Sequence, residues 1–311
     1  MISIHKHIGG KLGEIRQIED DCWINVVNPG DAEIKSLAEQ TGVPQDFLID
    51  ALDIDERARI ETDDGSVLIV VHTPMRSPDE DDDIPFYTLP LGIIKKDRLI
   101  ITVCRQENEI IQHFLDGRVK NFLISDRARF IIQIFLNTSI TFLRHLKEIN
   151  KKSNMLEDNL HKSMKNEALI KLVNIEKSLV YFMTSVKANE LIMARITRAD
   201  IVRLDELDKD LLDDAITENL QAIHMTKIYS NILSGLMDAF ASIISNNLNV
   251  VMKVLTSVTI ILMIPNLIAS MYGMNVELPF QHSMNAFIIV IMSALFLSII
   301  GVLFFLKKKW L

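Results

Sequence analysis

"VLTSVTIILMIPNLIASM", residues 254–271, runs eighteen residues without a charge. "YGMN" (272–275) follows it, and "AFIIVIMSALFLSIIGVLFFL" (286–306) is a second uncharged run, of twenty-one residues. A bilayer core of about 30 Å needs about 20 helical residues, so both runs are expected to be membrane spans. Soluble core helices rarely lack all charge over such lengths. Lys253 precedes the first run, and Lys307, Lys308 and Lys309 follow the second, whereas 272–285 holds no Lys or Arg. The positive-inside rule then puts both flanks in the cytoplasm and the YGMN loop outside.

The rest of the 311-residue chain differs in kind. Hydrophobic residues make up 49% of the chain and charged ones 24%, at a net charge of −8, so the two classes must be segregated. The N-terminal "MISIHKHIGGKLGEI" lacks the apolar core of a signal peptide. Cys22 and Cys104 lie in separate strand-like runs and read as buried thiols of a reducing compartment. A cell (inner or plasma) membrane protein with two spans and both termini cytoplasmic is the expectation.

The cytoplasmic part mixes strand and helix signals. "CWINVV" (22–27), 57–74 and 88–105 are rich in β-branched residues, with "DDG" and "KKDR" as hairpin turns. "DAEIKSLAEQTG" and "PQDFLIDALD" read as short amphipathic helices, the first ending at Gly42. "SPDEDDD" (77–83) reads as a solvated loop, with a divalent-ion contribution as the sharper alternative. Helical spacing begins at Ser125, a plausible N-cap, and reaches about Lys152; a second helix covers about 166–196. The boundaries are an α/β domain over 1–124, a helical part over 125–207, a stalk helix over 208–253, the first span over 254–271, the outer loop over 272–285, the second span over 286–306 and a basic tail over 307–311. From Leu207 to Pro265 there is only one Gly and no earlier Pro, so stalk and first span form one helix roughly 90 Å long.

Alternating steps of three and four from Asp214 along this helix pick out Asp214, Thr217, Gln221, His224, Ile228, Asn231, Gly235, Asp238, Ser242, Ser245, Asn249, Met252, Thr256, Thr259, Met263, Asn266 and Ser270. An ordinary coiled coil would make this seam Leu and Ile; here it is mostly polar or small. Inside the bilayer such side chains face other helices or a wet cavity. The bland reading, interhelical glue, needs one or two polar residues rather than a continuous face. Two spans cannot enclose a pore, so a pore-lining seam requires a homo-oligomer. Neutral oxygens, with Asp238 the only acid between Glu218 and Glu277, favour cations. Mg²⁺ dehydrates reluctantly and suits a wide ring that holds it through its waters. Met252 and Met263, with Leu255 beside them, suit apolar constrictions.

These residues resemble the CorA family of divalent-metal transporters, whose signature is Gly-Met-Asn at the outer end of the first of two C-terminal spans. Here the motif is Tyr272-Gly273-Met274-Asn275, and "SNNLNVVMKVLT" (245–256) and "KKKWL" (307–311) also look like the family. The resemblance implies a funnel-shaped homopentamer whose cytoplasmic α/β/α domain feeds the stalk, an α+β membrane protein. It implies a selectivity filter at Tyr272 to Asn275. It puts pore and gate positions at Asn249, Met252, Leu255 and Met263, and the seam itself adds Thr256, Thr259, Asn266 and Ser270 to the expected lining, with Asp238 as a funnel acid. Regulatory Mg²⁺ would sit on Asp214 with Asp213 and a partner such as Asp79. The departures are Val276, where Phe is frequent, and Asn266 directly after Pro265. The implied activity is Mg²⁺ uptake down the electrochemical gradient, gated by cytoplasmic Mg²⁺ at subunit interfaces. The alternative is a transporter of Zn²⁺, Co²⁺ or Ni²⁺ in the same superfamily, with proton coupling in the Zn²⁺ branch. A membrane-anchored scaffold would have a first span apolar on every face. Neither a nucleophile–base set nor a Walker A loop is present, so no enzyme, organic cofactor or nucleic-acid partner is expected.

Overall fold

The computed structural model describes residues 1–78, 84–163, 166–199, 204–280 and 283–310. The chain divides into two compact units, Met1–Gly235 and Leu236–Leu311. The acidic stretch 79–83, and with it Asp79, lies outside the described residues.

The first unit is built on a seven-stranded sheet, in the order β2-β1-β3-β7-β6-β5-β4. The strands are β1 (Ile2–Ile8), β2 (Lys11–Ile15), β3 (Trp23–Val27), β4 (Arg59–Asp63), β5 (Ser66–Arg76), β6 (Phe86–Lys96) and β7 (Leu99–Cys104). Only β3 and β7 pair in parallel. The β-branched central runs are buried on both faces, and their period of two sorts successive residues into separate cores. Ile24, Val70, Ile94 and Ile101 point to one side, where α1 (Asp31–Thr41) and α2 (Gln45–Asp50) supply Ile34, Leu37, Phe47 and Leu48. Trp23, Ile69, Ile93 and Ile100 point to the other, against Phe114 of α3 (Glu109–Leu115), Phe130 and Phe135 of α4 (Arg127–Ser163) and Met193 of α5 (Asn166–Ala199). Helices therefore cover both faces of one sheet.

Local chemistry sets the element ends. Gly42 closes α1 in the left-handed conformation at φ 66°, and its N–H bonds the Ala38 carbonyl. Gly92 is the point of closest helix–sheet approach: a Cβ there would lie 2.4 Å from Ala51 Cβ. Asp126, not Ser125, caps α4, because its carboxylate accepts the Arg129 N–H at 3.1 Å. α4 also continues to Ser163, eleven residues past the expected end at Lys152. The β1–β2 hairpin and α3 had no counterpart in the sequence reading.

The edge beyond β4 is closed by a side chain. The β4 ladder ends at the pair Arg59 and Val70, so the backbone of His72 has no strand partner there. Buried Asn189 of α5 takes that place: its Oδ1 accepts the His72 N–H at 2.9 Å and its Nδ2 donates to the His72 carbonyl at 2.8 Å.

α6 (Glu206–Tyr272) is one 67-residue helix that runs through the boundary between the units. Asp205 caps it: Oδ1 accepts the Asp208 N–H at 2.7 Å, and Asp208 Oδ2 accepts the Asp205 N–H at 3.4 Å, a reciprocal capping box. In the second unit α6 is joined by α7 (Ala286–Lys307). Gly301 of α7 lets the pair approach, since a Cβ there would lie 3.3 Å from Ile264 Cδ1. Only 6% of the apolar window of each helix is buried within the protein. That exposure is expected where lipid or further protein supplies the surroundings.

Candidate functional site

The burial of α6 follows its heptads. In the first unit Asp208, Leu212, Ala215, Asn219, Ala222 and Thr226 are buried, a row in steps of four and three, and Leu233 follows one heptad on. Its polar members are satisfied. Asn219 Nδ2 donates to the Val186 carbonyl of α5 at 2.9 Å, and Thr226 Oγ1 donates to its own helix at the Ala222 carbonyl at 2.7 Å. Asp208 takes Arg129 Nε at 3.2 Å. Burial, then the Asp126 carboxylate, push the Asp208 carboxyl above the usual range, while Arg129 and the bonded backbone N–H act against them.

In the second unit Ser257 is buried, and Ile261, Ile264 and Ile268 are half-buried on the side toward α7. The hydroxyl of Ser257 donates to the Lys253 carbonyl at 2.8 Å, so a polar atom within the packed face remains bonded. Pro265 removes one helical hydrogen bond on this flank.

Each seam residue beside these rows stands two positions after a covered one: 212 and 214, 215 and 217, 219 and 221, 222 and 224, 226 and 228, 233 and 235, then 257 and 259, 261 and 263, 264 and 266, 268 and 270. At 3.6 residues per turn, two positions are about 200° apart, on the opposite side of the helix. All seventeen seam positions from Asp214 to Ser270 are exposed. The protomer thus packs one face of α6 and leaves the polar face bare. Within the span that face carries the Thr256 and Thr259 hydroxyls, the Asn266 amide and the Ser270 hydroxyl. Thr259 Oγ1 turns its proton back to the Leu255 carbonyl at 2.8 Å, leaving oxygen lone pairs outward. Met252 and Met263 are 52% and 62% exposed on the same face, and Leu255 is 58% exposed at its border. Asn249 and Asp238 are exposed as well.

At the end of α6, Gly273 N–H bonds the Ala269 and Ser270 carbonyls at 3.0 and 3.2 Å, and Met274 N–H reaches the Met271 carbonyl at 3.2 Å. The Tyr272 hydroxyl donates to the Pro279 carbonyl at 3.2 Å and closes the loop on itself. Met274 and Asn275 are exposed. Gly273 has an ordinary φ, and a Cβ would lie 3.5 Å from the nearest carbonyls, so nothing in the protomer explains the glycine.

Asp213 and Asp214 are exposed on α6. Among the described residues no group of three His, Cys, Asp or Glu converges to hold a metal. A metal on Asp214 would need donors from outside the described residues or from another copy. The sequence reading missed the buried row itself and the capping box. "DELD" (205–208), an acid three residues after a capping acid, was its visible signal.

A family model described as "CorA-like Mg2+ transporter protein" matches residues 19–308. The "Cobalt/magnesium transport protein CorA" of Methanocaldococcus jannaschii is 29% identical over 308 residues, covering 97% of this chain and 95% of that protein. The "Magnesium transport protein CorA" of Helicobacter pylori is 24% identical over 93% of this chain and 90% of its own length. The complete structure of the CorA magnesium transporter from M. jannaschii superposes with a TM-score of 0.85 at 26% identity, covering 100% of this chain and 99% of that one. Matched over nearly its whole length in model, sequence and fold, the chain belongs to the CorA-like Mg2+ transporter family.

Proposed function

We propose that this chain forms a divalent-cation channel for Mg²⁺ uptake, whose pore is the ring of bare polar faces of α6 contributed by several copies. The observation that carries this reading is the split of α6 into a covered row and an exposed row about 200° apart, seen over residues 212–235 and again over 257–270. A lone membrane anchor has no use for a polar stripe facing away from its own partner helix. Copies arranged around an axis would hide that stripe from lipid and hydrate it.

The assembly proposed is a homopentamer with a cytoplasmic funnel, in the cell membrane, with both termini cytoplasmic and the YGMN loop outside. The domain limits read from the sequence, with spans at 254–271 and 286–306, belong to the same proposal. Tyr272 to Asn275 form the outer filter, where five Asn275 amide oxygens hold a hydrated cation without removing its water. Thr256, Thr259, Asn266 and Ser270 continue the neutral path, Met252, Leu255 and Met263 constrict it, and Asn249 and Asp238 line its inner mouth. Uptake needs no nucleotide and no enzymatic step: a divalent ion gains about 4.6 kcal/mol per 100 mV, roughly a 2,000-fold accumulation. Cytoplasmic Mg²⁺ bound by Asp214 and Asp213, with an acid such as Asp79 of another subunit, would hold the funnel closed. Loss of Mg²⁺ leaves like charges facing each other and opens it.

Reconstituted vesicles loaded with a Mg²⁺ indicator test the function. Saturable, voltage-driven Mg²⁺ entry without a pH gradient is expected. Entry of Zn²⁺ alone, and only with a pH gradient, would replace this reading by the zinc-transporting alternative.

A further inference from the structure

In the second unit the polar seam of α6 is flanked by two further rows, each one position, or about 100°, away from it. The positions before the seam residues give Ile244, Leu248, Val251, Leu255, Val258 and Leu262, and the row ends on Pro265 and Ala269. It holds no polar residue, and every member except half-buried Pro265 is exposed. On the other flank, the positions after the seam residues, Val250, Ile260, Leu267 and Met271 are exposed.

Lipid covers part of the first row but not its start. Ile244, Leu248 and Val251 precede Lys253 and are interleaved with Ser245, Asn246, Asn247 and Asn249, a stretch suited to water. α7 does not reach them. Its Gly301 stands beside Ile261 and Ile264, and its Ala294 and Leu295 stand beside Pro265 and Ala269. The two helices are therefore antiparallel, and the end of α7 at Lys307 is level with about residue 256. Leu248 and Val251 are left 62% and 60% exposed. Apolar side chains in heptad steps on a water-facing helix need another helix to cover them.

The outer end of the same row is a notch. Pro265 and Ala269 of α6, with Val290, Ile291, Ala294 and Leu295 of α7, line an apolar cavity of about 290 Å³. Small residues open it on this flank, whereas the opposite flank carries the long side chains of Leu267 and Met271 at the same height, 64% and 50% exposed. Copies related by rotation about an axis along the span keep every residue at its own height. Leu267 of one copy then arrives at the level between Pro265 and Ala269 of the next.

We propose that the flank of α6 from Ile244 to Ala269 is the docking face for a second copy of this chain, whose opposite flank packs along the row and whose Leu267 sits in the notch. The inference rests on the ring of copies proposed above and adds its direction. Unlike flanks meet, so each copy inserts a knob on one side and receives one on the other. The notch lies one turn before Tyr272 and Gly273, so the contact fastens neighbouring outer loops together.

Disulfide trapping in the reconstituted full-length protein tests the proposal. A disulfide needs Cα atoms within about 7 Å. The two native cysteines are buried and stay out of the reaction. Oxidation of the double variant Leu267→Cys/Ala269→Cys should give a ladder of linked copies on a denaturing gel, because its two sites lie about 200° apart and each meets a different neighbour. Either cysteine alone should leave the chains unlinked, since like flanks never meet. Leu267→Cys that links to itself as readily as the pair overturns the proposal. Native mass spectrometry and Mg²⁺ flux on the same variants separate this contact from the pore. An assembled, conducting protein whose pair gives no ladder overturns the docking face and leaves the pore standing, whereas a ladder without flux keeps the face and defeats the pore. Ala269→Leu fills the notch from its own chain and should raise the share of free monomer at least about tenfold. If it instead displaces a bound lipid and leaves assembly unchanged, the notch is a lipid site and the proposal fails.

Discussion

Replacing Asn189 by leucine measures how the helical layer is fastened to the sheet. The side chain is buried and bonds both backbone groups of His72, 117 residues away, at 2.9 and 2.8 Å. Leucine fills a similar volume but offers neither a donor nor an acceptor. The His72 N–H and C=O, beyond the end of β4, are then left unpaired inside the protein. An unsatisfied buried polar group costs about 1–3 kcal/mol, so the pair should cost about 3 kcal/mol after partial relaxation. For a unit of this size that corresponds to roughly 6–12 °C in Tm. Near-UV circular dichroism follows it directly, since Trp23 lies in the core between sheet and helices. Asn189→Asp places a carboxylate oxygen against the His72 carbonyl where the amide donated at 2.8 Å, and should be at least as destabilising. A Tm for Asn189→Leu within about 2 °C of the wild type would refute the claim that this side chain completes the sheet edge.

Other consequences follow from single residues. Gly92→Ala puts a Cβ 2.4 Å from Ala51 Cβ, and overpacking of that kind should cost about 1–3 kcal/mol in denaturant unfolding. The Cys104 thiol is pushed up to about 12 by burial, so at pH 8 only about one molecule in ten thousand carries the thiolate. Ellman's reagent should leave Cys104 unmodified in the folded protein and titrate it in guanidinium. Asp214→Ala should transport Mg²⁺ with weaker inhibition by cytoplasmic Mg²⁺; unchanged inhibition in a two-sided flux assay removes the regulatory role. Asn275→Ala should abolish uptake while native mass spectrometry still reports the assembled oligomer, and normal uptake would defeat the filter assignment.

Much of the second unit was legible because the bilayer imposes a simple code. Two uncharged runs of sufficient length leave few alternatives. The α6 seam was legible for a related reason: polar residues in strict heptad steps conflict with the apolar row that a coiled coil would need, and the conflict itself pointed outward. The covered row was harder to see. Asp208, Ala215, Asn219, Ala222 and Thr226 are small or polar, and their burial depends on partners such as Arg129 and the Val186 carbonyl that only the tertiary fold brings near. Burial of Leu220, Ile223 and Ile244 would be the obvious guess from composition, yet Leu220 is 37% and Ile244 is 43% exposed. The β1–β2 hairpin was overlooked because "ISIHKHIGGKLGEI" is half polar, and its strand signal is only the alternation of Ile and His around Gly9 and Gly10. The metal site proposed on Asp213 and Asp214 would leave no trace in a single chain, since an exposed aspartate on a helix has the same local environment whether or not a neighbour completes its site.

The central claim is that the bare face of α6 is the path of the ion. Single cysteines placed along the span of the assembled, reconstituted protein, each treated with a small membrane-impermeant thiol reagent, test it most directly. The two native cysteines are buried and give a quiet background. The account predicts that modification at Thr256, Thr259, Met263, Asn266 and Ser270 lowers Mg²⁺ uptake at least about tenfold. Modification at Val254 and Val258, exposed but about 120° or more around the helix from the seam, should leave uptake within about twofold. Block without that heptad period, or block strongest at Val254 and Val258, would contradict it.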